Sequence, residues 1–230
     1  MKAFPELKDF SEVRAKYPLE RVGWGGVRRV CYKIGDTGYC VKFYKILGIF
    51  KAQHNPRAKI VRECEAKRFD LKRNNSAQEV RVYEHYLKTM PSEVTSKLPE
   101  VVELVFDPEW GYGILETYYT NPDGTAIIPY EFEIARQTPE NREIIYAQAK
   151  ELLEILAANR AFFFEPGNFH NLIHADGTIE TKIVDFEPTS KLLIKLDRVW
   201  PWWRGWILRS KAKKYLKHIR ETYGVKGTVK

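Results

Sequence analysis

Alternation of apolar and polar residues over 19–46 constrains the fold of this chain more than any other feature. The segment LERVGWGGVRRVCYKIGDTGYCVKFYKI is interrupted by glycines early and by Asp36-Thr37-Gly38 further on. Period-two alternation between turn residues is typical of paired strands. The pattern therefore predicts a β-rich first part of the chain, with a tight turn leading into the strand YCVKFY.

The order of the later elements predicts an α+β fold. Periodicity and turn signals give helices over 57–73 and 76–89, strands over 100–106 and 112–119, a long helix over 138–160 and a hairpin over 171–186. Ser76, with Glu79 three positions on, predicts a capping box at the start of the second helix. Thr138-Pro139-Glu140 predicts the start of the long helix.

Charge is concentrated at the end of the chain. The formal net charge is +8, but residues 191–230 hold 12 Lys/Arg and 2 acidic residues, a net of +10, together with four of the six tryptophans. No apolar run approaches the roughly 18 residues of a membrane-spanning helix, and the first residues are too polar for a signal peptide. We expect a cytoplasmic protein whose three cysteines are reduced and hold neither a disulfide nor zinc.

Glycines and an interior lysine are the first candidate binding residues. Gly23, Gly25 and Gly26 can let the backbone close over phosphate oxygens, although a plain hairpin turn gives the same pattern. Lys42 lies inside an apolar strand and predicts a buried anion beside it, unless it faces water at a sheet edge. Glu79 is the candidate partner of Lys42. Glu63, Glu65 and Glu84 compete for that role.

The strongest motif joins an asparagine and an aspartate through a hairpin. Asn171 precedes the hairpin and Asp185 follows it, 14 residues later. Their side-chain oxygens can converge on one Mg²⁺, a cation that prefers oxygen ligands, and the metal would bridge nucleotide phosphates. The alternative is an ordinary hairpin that happens to end at an aspartate.

These pieces, in this order, resemble the YrbL-type PhoP regulatory network proteins, a family similar to protein kinases in fold. The resemblance covers roughly residues 18–220 and includes CVKFY, QEVRVYEHYL, GYGILETYYT, FHNLI, KIVDFEP and the Trp/Arg-rich end. It implies a bilobal kinase-like protein, with a β-rich lobe over 1–118 and a small helical lobe over 119–230. ATP and Mg²⁺ are the implied cofactors.

The resemblance also assigns roles to individual residues. Lys42 would bind phosphate with Glu79 as its partner, and Asn171 and Asp185 would hold the metal. Glu116, Thr117 and Tyr118 would line the adenine site.

The catalytic loop departs from the kinase pattern. Pro166 stands where a kinase has its catalytic aspartate, five residues before Asn171, and Glu187 stands where a glycine follows Asp-Phe. A general base must reach the proton that it removes, and Glu165 is the only nearby carboxylate. Two functions therefore stay open. One is an ATP-dependent phosphotransferase acting on a lipopolysaccharide sugar or a protein, with Glu165 and Asn171 as catalytic residues. The other is an inactive pseudokinase that acts as a regulatory scaffold.

The basic, Trp-rich tail allows three interpretations. Pro201 and Gly205 predict a turn, followed by a helix over about 207–223. The helix can pack on the core of the second lobe, or it can lie on an anionic membrane surface with its tryptophans at the interface. Nucleic-acid binding ranks below membrane contact.

Overall fold

The computed structural model of the protein describes residues 9–22, 29–45, 58–124, 127, 134–161, 169–184 and 203–227. It contains helices and an antiparallel sheet, which confirms the α+β prediction. The chain divides into two compact units, one of residues 1–81 and 100–118 and one of residues 82–99 and 119–230. The first lobe predicted from the sequence, 1–118, includes residues 82–99, whereas the structure groups these residues with the second unit. The reason lies in contacts such as that of Ile183, whose N–H donates to the carbonyl oxygen of Lys97.

A five-stranded antiparallel sheet forms the first unit, with strand order β1-β2-β3-β5-β4. The strands are β1 (Leu19–Val22), β2 (Arg29–Ile34), β3 (Tyr39–Tyr44), β4 (Val102–Asp107) and β5 (Gly111–Thr117). The turn between β2 and β3 falls where the sequence predicts it. Gly38 there has a φ of +78°, a left-handed conformation that glycine adopts without steric cost.

Helix α1 (Phe10–Lys16), which was not predicted from the sequence, packs on one face of this sheet. Asp9 caps the helix by accepting a hydrogen bond from the N–H of Ser11 at 2.9 Å. Phe10 and Val13 are buried in an apolar cluster. Its sheet residues include Ile34, Val41, Phe43, Val105 and Leu115. The helix is only seven residues long, so the sheet contacts rather than its own propensity stabilise it.

Gly113 in β5 leaves room for the ring of Phe43 in this core. A Cβ atom at position 113 would lie 2.5 Å from that ring. The added Cβ atom would lie between the backbone of β5 and a packed aromatic ring, and neither can move easily.

We predict that Gly113→Ala lowers the free energy of unfolding by about 1–3 kcal/mol, as overpacking of a core typically does. Urea denaturation of the variant measures the loss. The double variant Gly113→Ala with Phe43→Leu is the control, because the smaller side chain relieves the overlap. Strictly additive effects of the two substitutions would contradict the proposed contact.

The first two helices described after β3 are α2 (Ala58–Glu65) and α3 (Asn75–Thr89). The sequence predicted the first helix over 57–73, but turns follow α2 and lead to Asn74. The predicted capping box at Ser76 is also wrong, because Asn74 takes the capping role. Its Oδ1 accepts from the N–H groups of Ser76, at 2.8 Å, and Ala77, at 3.3 Å.

The second unit contains helices and a hairpin. Its complete elements are α4 (Ser92–Thr95), α5 (Pro139–Ala158), β6 (Phe169–Ile173), β7 (Ile179–Ile183) and α6 (Trp203–Tyr223). Thr138 caps α5 at its predicted start by accepting from the N–H of Asn141 at 3.3 Å. Gly177, with a φ of +82°, forms the predicted turn between β6 and β7. Within the described ranges no helix is long and apolar enough to span a membrane.

Helices α5 and α6 pack against each other as an antiparallel pair. Near one end, a Cβ atom on Gly205 would lie 3.1 Å from the carbonyl oxygen of Ala157. At the other end, Nη1 of Arg142 donates to the carbonyl oxygen of Tyr223 at 3.2 Å. The prediction that Gly205 breaks the tail is therefore wrong, because α6 starts at Trp203 and Gly205 allows close helix packing instead. Pro201 lies outside the described residues.

The apolar stripe of α6 is largely buried. Leu208, Ala212 and Ile219 are all at most 8% exposed. Their burial favours the interpretation in which the tail belongs to the core of its own unit. Trp206, by contrast, is 59% exposed.

Candidate functional site

An ion pair lies on the sheet face opposite to α1. Nζ of Lys42 is 2.6 Å from Oε1 of Glu116, and the two side chains are 17% and 6% exposed. Their meeting follows from strand register, since Lys42 pairs with Ile114 and Cys40 with Glu116 across β3 and β5. Residues two apart along a strand point to the same face, so Lys42 reaches Glu116 diagonally.

A second ion pair connects the sheet to α3. Nη1 of Arg29 in β2 contacts Oε2 of Glu79, and both side chains are buried. The resemblance assigned Glu79 to Lys42, whereas the structure pairs Glu79 with Arg29 and Lys42 with Glu116. Arg29 is the first residue of β2 and Glu116 the last but one of β5, and no local pattern in the sequence marks either as a partner. The register of the sheet and the docking of α3 bring them into place.

Two cysteines adjoin the Lys42–Glu116 pair. Sγ of Cys40 is 3.7 Å from Oε1 of Glu116. A hydrogen bond with Cys31 and then burial raise the pKa of the Cys40 thiol well above its ordinary value. A raised pKa keeps the sulfur protonated and unreactive at neutral pH. No disulfide joins Cys31, Cys40 and Cys64 in the described part of the chain.

Burial makes each of these charged side chains dependent on its partner. Removing one member of a buried pair leaves an uncompensated charge, whereas replacing both by apolar groups is often tolerated. One oxygen of Glu116, Oε2, has no hydrogen-bond partner among the described residues. The positive charge of Lys42 therefore provides the main compensation for the buried negative charge of Glu116.

We predict that Lys42→Met destabilises the protein by about 3 kcal/mol, because it leaves the carboxylate of Glu116 buried and unpaired. Chemical denaturation checks this value. Lys42→Met with Glu116→Leu should recover most of the loss. A double variant that is less stable than Lys42→Met would show that the ion pair itself holds the sheet together, contrary to this prediction.

The predicted adenine-binding segment uses part of its backbone within the first unit. The N–H of Thr117 donates to the carbonyl oxygen of Val101 at 3.0 Å, and that of Tyr118 to Gly38 at 2.9 Å. These two N–H groups are engaged in the sheet and its turn. Burial, the leading cause, raises the pKa of the Tyr118 hydroxyl. The carboxylate of Glu116 is paired with Lys42. Glu116 would therefore line the predicted adenine site with a carboxylate that is already engaged.

Asn171 is buried in the hairpin of the second unit. It is 1% exposed and pairs across the hairpin with Thr181. Oγ1 of Thr181 lies 3.2 Å from Oδ1 of Asn171 and 3.1 Å from Oε1 of Gln148, which projects from α5. As assigned, Nδ2 of Asn171 has no hydrogen-bond partner among the described residues.

Proton counting decides the orientation of this asparagine. A hydroxyl carries one proton, so Thr181 can donate to only one of the two oxygens beside it. The amide of Gln148 is fixed, because its Nε2 donates to the carbonyl oxygen of Ile179 at 2.7 Å and its Oε1 accepts from the N–H of Thr181 at 3.1 Å. With the Asn171 amide turned over, its nitrogen donates to Thr181, and Thr181 donates to Gln148.

With the amide turned over, the oxygen of Asn171 stands where its nitrogen finds no acceptor among the described residues. Amide oxygen and nitrogen are told apart by such networks, so we assign this orientation. A buried amide oxygen has the donor chemistry of a Mg²⁺ ligand. Within the described ranges no group of three or more His, Cys, Asp or Glu side chains could hold a metal.

Several predicted site residues lie outside the described residues. They are Gly23, Gly25, Gly26, Glu165 and Asp185. Of the rest, Lys42, Glu79, Glu116 and Tyr118 belong to the first unit and Asn171 to the second. Arg29, Gln148 and Thr181 are the partners that sequence reasoning missed, because each is brought in by packing between separate elements.

A surface cluster on the hairpin surrounds Glu180. Its Oε1 is 3.0 Å from Nζ of Lys97 and 3.1 Å from Nζ of Lys182, and its Oε2 is 3.2 Å from Nε2 of His174. Partial burial acts to raise the pKa of Glu180, but the two lysines outweigh it and the pKa is lowered. The cluster therefore favours the charged carboxylate and links the hairpin to the segment after α4.

We predict that this cluster makes a small, pH-dependent contribution to stability. The native pKa of Glu180 lies below the unfolded value of about 4.3, so its contribution is complete above that value and disappears as the pH falls through the native one. Glu180→Gln should lower stability by about 0.5–1 kcal/mol at pH 7 and by nothing at the acid end. Urea titrations at both pH values, with the exposed Glu84→Gln as control, measure the difference. An equal loss at the two pH values would contradict the assignment.

Comparison with known proteins does not assign the chain to a family. No protein-family model matches the sequence, and a search of curated proteins returned no match. Function therefore rests on the residues themselves.

Proposed function

We propose that this chain is a kinase-like nucleotide-binding protein that takes ATP together with Mg²⁺. The observation that carries the proposal is Lys42, a strand lysine held by a carboxylate on the face of an antiparallel sheet opposite to its apolar core. A cation positioned in this way suits a phosphate group, since charge-assisted hydrogen bonds in a partly desolvated site are strong.

Two further features support the same proposal. Helix α3 docks its buried Glu79 on this face of the sheet through Arg29, so helix, sheet and lysine form one charged surface. The second unit supplies Asn171 from a hairpin, and an amide oxygen is a suitable ligand for Mg²⁺.

The roles of the residues follow from their chemistry. Lys42 would bind and orient phosphate, with Glu116 fixing its position, and Asn171 and Asp185 would hold the metal. Bound Mg²⁺ would neutralise phosphate charge, and ATP would supply a phosphoryl group. Glu165 is the candidate base. The acceptor proposed from the resemblance is a lipopolysaccharide sugar or a protein, and the alternative function is an inactive pseudokinase with a regulatory role.

We predict that Mg²⁺ strengthens ATP binding, as calorimetry with and without EDTA would measure. Lys42→Met with Glu116→Leu keeps the sheet free of unpaired charge, and we expect it to weaken ATP binding by about 10- to 150-fold. The matched control is Lys33→Met, which removes the same charge from β2, where Lys33 lies 3.3 Å from Asp36 at the turn. Unchanged affinity in the double variant would refute the role of Lys42.

The metal ligands need a separate comparison. Asn171→Leu and Asp185→Asn should each reduce binding in Mg²⁺ far more than binding in EDTA, because the first removes an oxygen ligand and the second removes the negative charge of one. Phosphate release or transfer by the wild-type protein, lost in Glu165→Gln, would support an enzyme. Mg²⁺-dependent binding without turnover would support the pseudokinase.

A second proposal concerns an anionic membrane surface. Trp206 is largely exposed, and exposed basic residues continue along α6 from it. An exposed tryptophan beside lysines and arginines suits a lipid interface. The buried stripe of α6 leaves only these outer residues for such contact.

A further inference from the structure

A groove runs between α5 and α6 on the surface of the second unit, and we name it the α5–α6 groove. Its volume is about 440 Å³. Helix α5 contributes Tyr146, Lys150, Leu153, Glu154 and Ala157 to its lining. Helix α6 contributes Arg209, Ala212, Lys213, Leu216, Lys217 and Arg220. All of these residues are described, and neither the nucleotide proposal nor the fold uses their charged groups.

The groove is long and narrow. The lining of α5 extends from Tyr146 to Ala157, which at the rise of an α-helix is roughly 16 Å. A helix of that length, about 10–12 Å across with its side chains, would need several times the volume of the groove. A single hydrocarbon chain is a much smaller occupant.

The floor of the groove is apolar. Leu153, Ala157 and Ala212 are 5%, 3% and 8% exposed, and Leu216 is partly buried beside them. No polar side chain of the lining is buried in this floor. A ligand that enters therefore gains by placing apolar atoms there, in proportion to the apolar area removed from water.

The rim of the groove is strongly basic. Lys150 lies on one side, and Arg209, Lys213, Lys217 and Arg220 lie on the other, against Glu154 as the single acid. All six are exposed. Lys217 also forms an ion pair with Glu221 at 3.7 Å, but both side chains are more than 60% exposed, so that pair is weak. The rim therefore attracts an anion.

We infer that the α5–α6 groove binds a single-chain anionic amphiphile, with its hydrocarbon chain along the floor and its anionic group at the rim. Charge and shape both favour this occupant over a protein or a nucleic acid. A stable protein interface buries about 800 Å² on each partner. The residues around this floor are charged rather than apolar, so the apolar surface does not extend far enough for such an interface. A nucleic acid could pair with the rim but would leave the floor unfilled.

The inference goes beyond nucleotide binding and needs no membrane. Laurate below its micelle concentration is therefore the probe, measured by calorimetry with the full chain at low salt. Lauryl maltoside and lauryl trimethylammonium carry the same chain with a neutral and a cationic head group. Butyrate carries the anion without the long chain, and an acidic peptide offers carboxylates on a polypeptide.

We expect saturable binding of one laurate, weaker binding of the maltoside and none of butyrate or the cation. Added salt should weaken laurate binding, since attraction to the rim is screened within about 10 Å at 0.1 M ionic strength. Equal binding of all three lauryl compounds, no saturable binding of laurate, or binding of the acidic peptide in its place would overturn the inference.

Two adjacent lysines provide a matched pair of variants. Lys213 lines the groove, whereas Lys214, the next residue of α6, is exposed and does not line it. Lys213→Glu should weaken laurate binding by about 5- to 30-fold, and Lys214→Glu should leave it nearly unchanged. Lys217→Glu provides a second groove variant if Lys213→Glu melts early. Equal effects at 213 and 214 would mean general attraction to a basic surface and would overturn the assignment to the groove.

Discussion

The first unit buries two opposite charges, Lys42 and Glu116, in one sheet, and pairing them is the constraint that its strand register meets. A lysine or a glutamate that is buried alone among apolar strands costs free energy, because its charge loses contact with water. Antiparallel register resolves this by placing the two side chains diagonally on one face. The opposite face, covered by α1, carries the apolar cluster together with one ion pair, in which Nε of Arg14 lies 3.3 Å from Oδ2 of the buried Asp107.

The two faces of the sheet carry different kinds of side chain, and this difference links the structure to the proposed function. The α1 face supplies stability through packed rings, such as Phe43 against Phe10 with centroids 5.2 Å apart. The other face carries charge, with Arg29 joining it to α3 through Glu79. A protein that binds an anionic ligand needs such a surface, held rigid by elements that do not themselves touch the ligand.

In the second unit, the polar group that is buried and held by its neighbours is neutral, the amide of Asn171. Gln148 holds Thr181, and Thr181 in turn holds the buried amide of Asn171. One polar atom of that amide has no hydrogen-bond partner among the described residues, and such atoms are rare in folded proteins. On the surface of this unit, close packing of α5 and α6 at Gly205 brings basic side chains to both sides of a narrow apolar groove.

The sequence by itself determined many of the local elements, although α1 and the end of α2 escaped it. Alternation gave the strands, Asp36-Thr37-Gly38 and Asp176-Gly177 gave the turns, and Thr138-Pro139 gave the start of α5, because each depends on residues close together in the chain. It also singled out Lys42 as a charged residue inside an apolar strand and Asn171 as a polar residue before a hairpin, although the structure places Asn171 within the first strand of that hairpin. Only the tertiary structure decided their partners and the place of the tail. Glu116 lies 74 residues from Lys42 along the chain, and strand register, side-chain networks and helix packing are set by contacts between distant segments that no local pattern encodes.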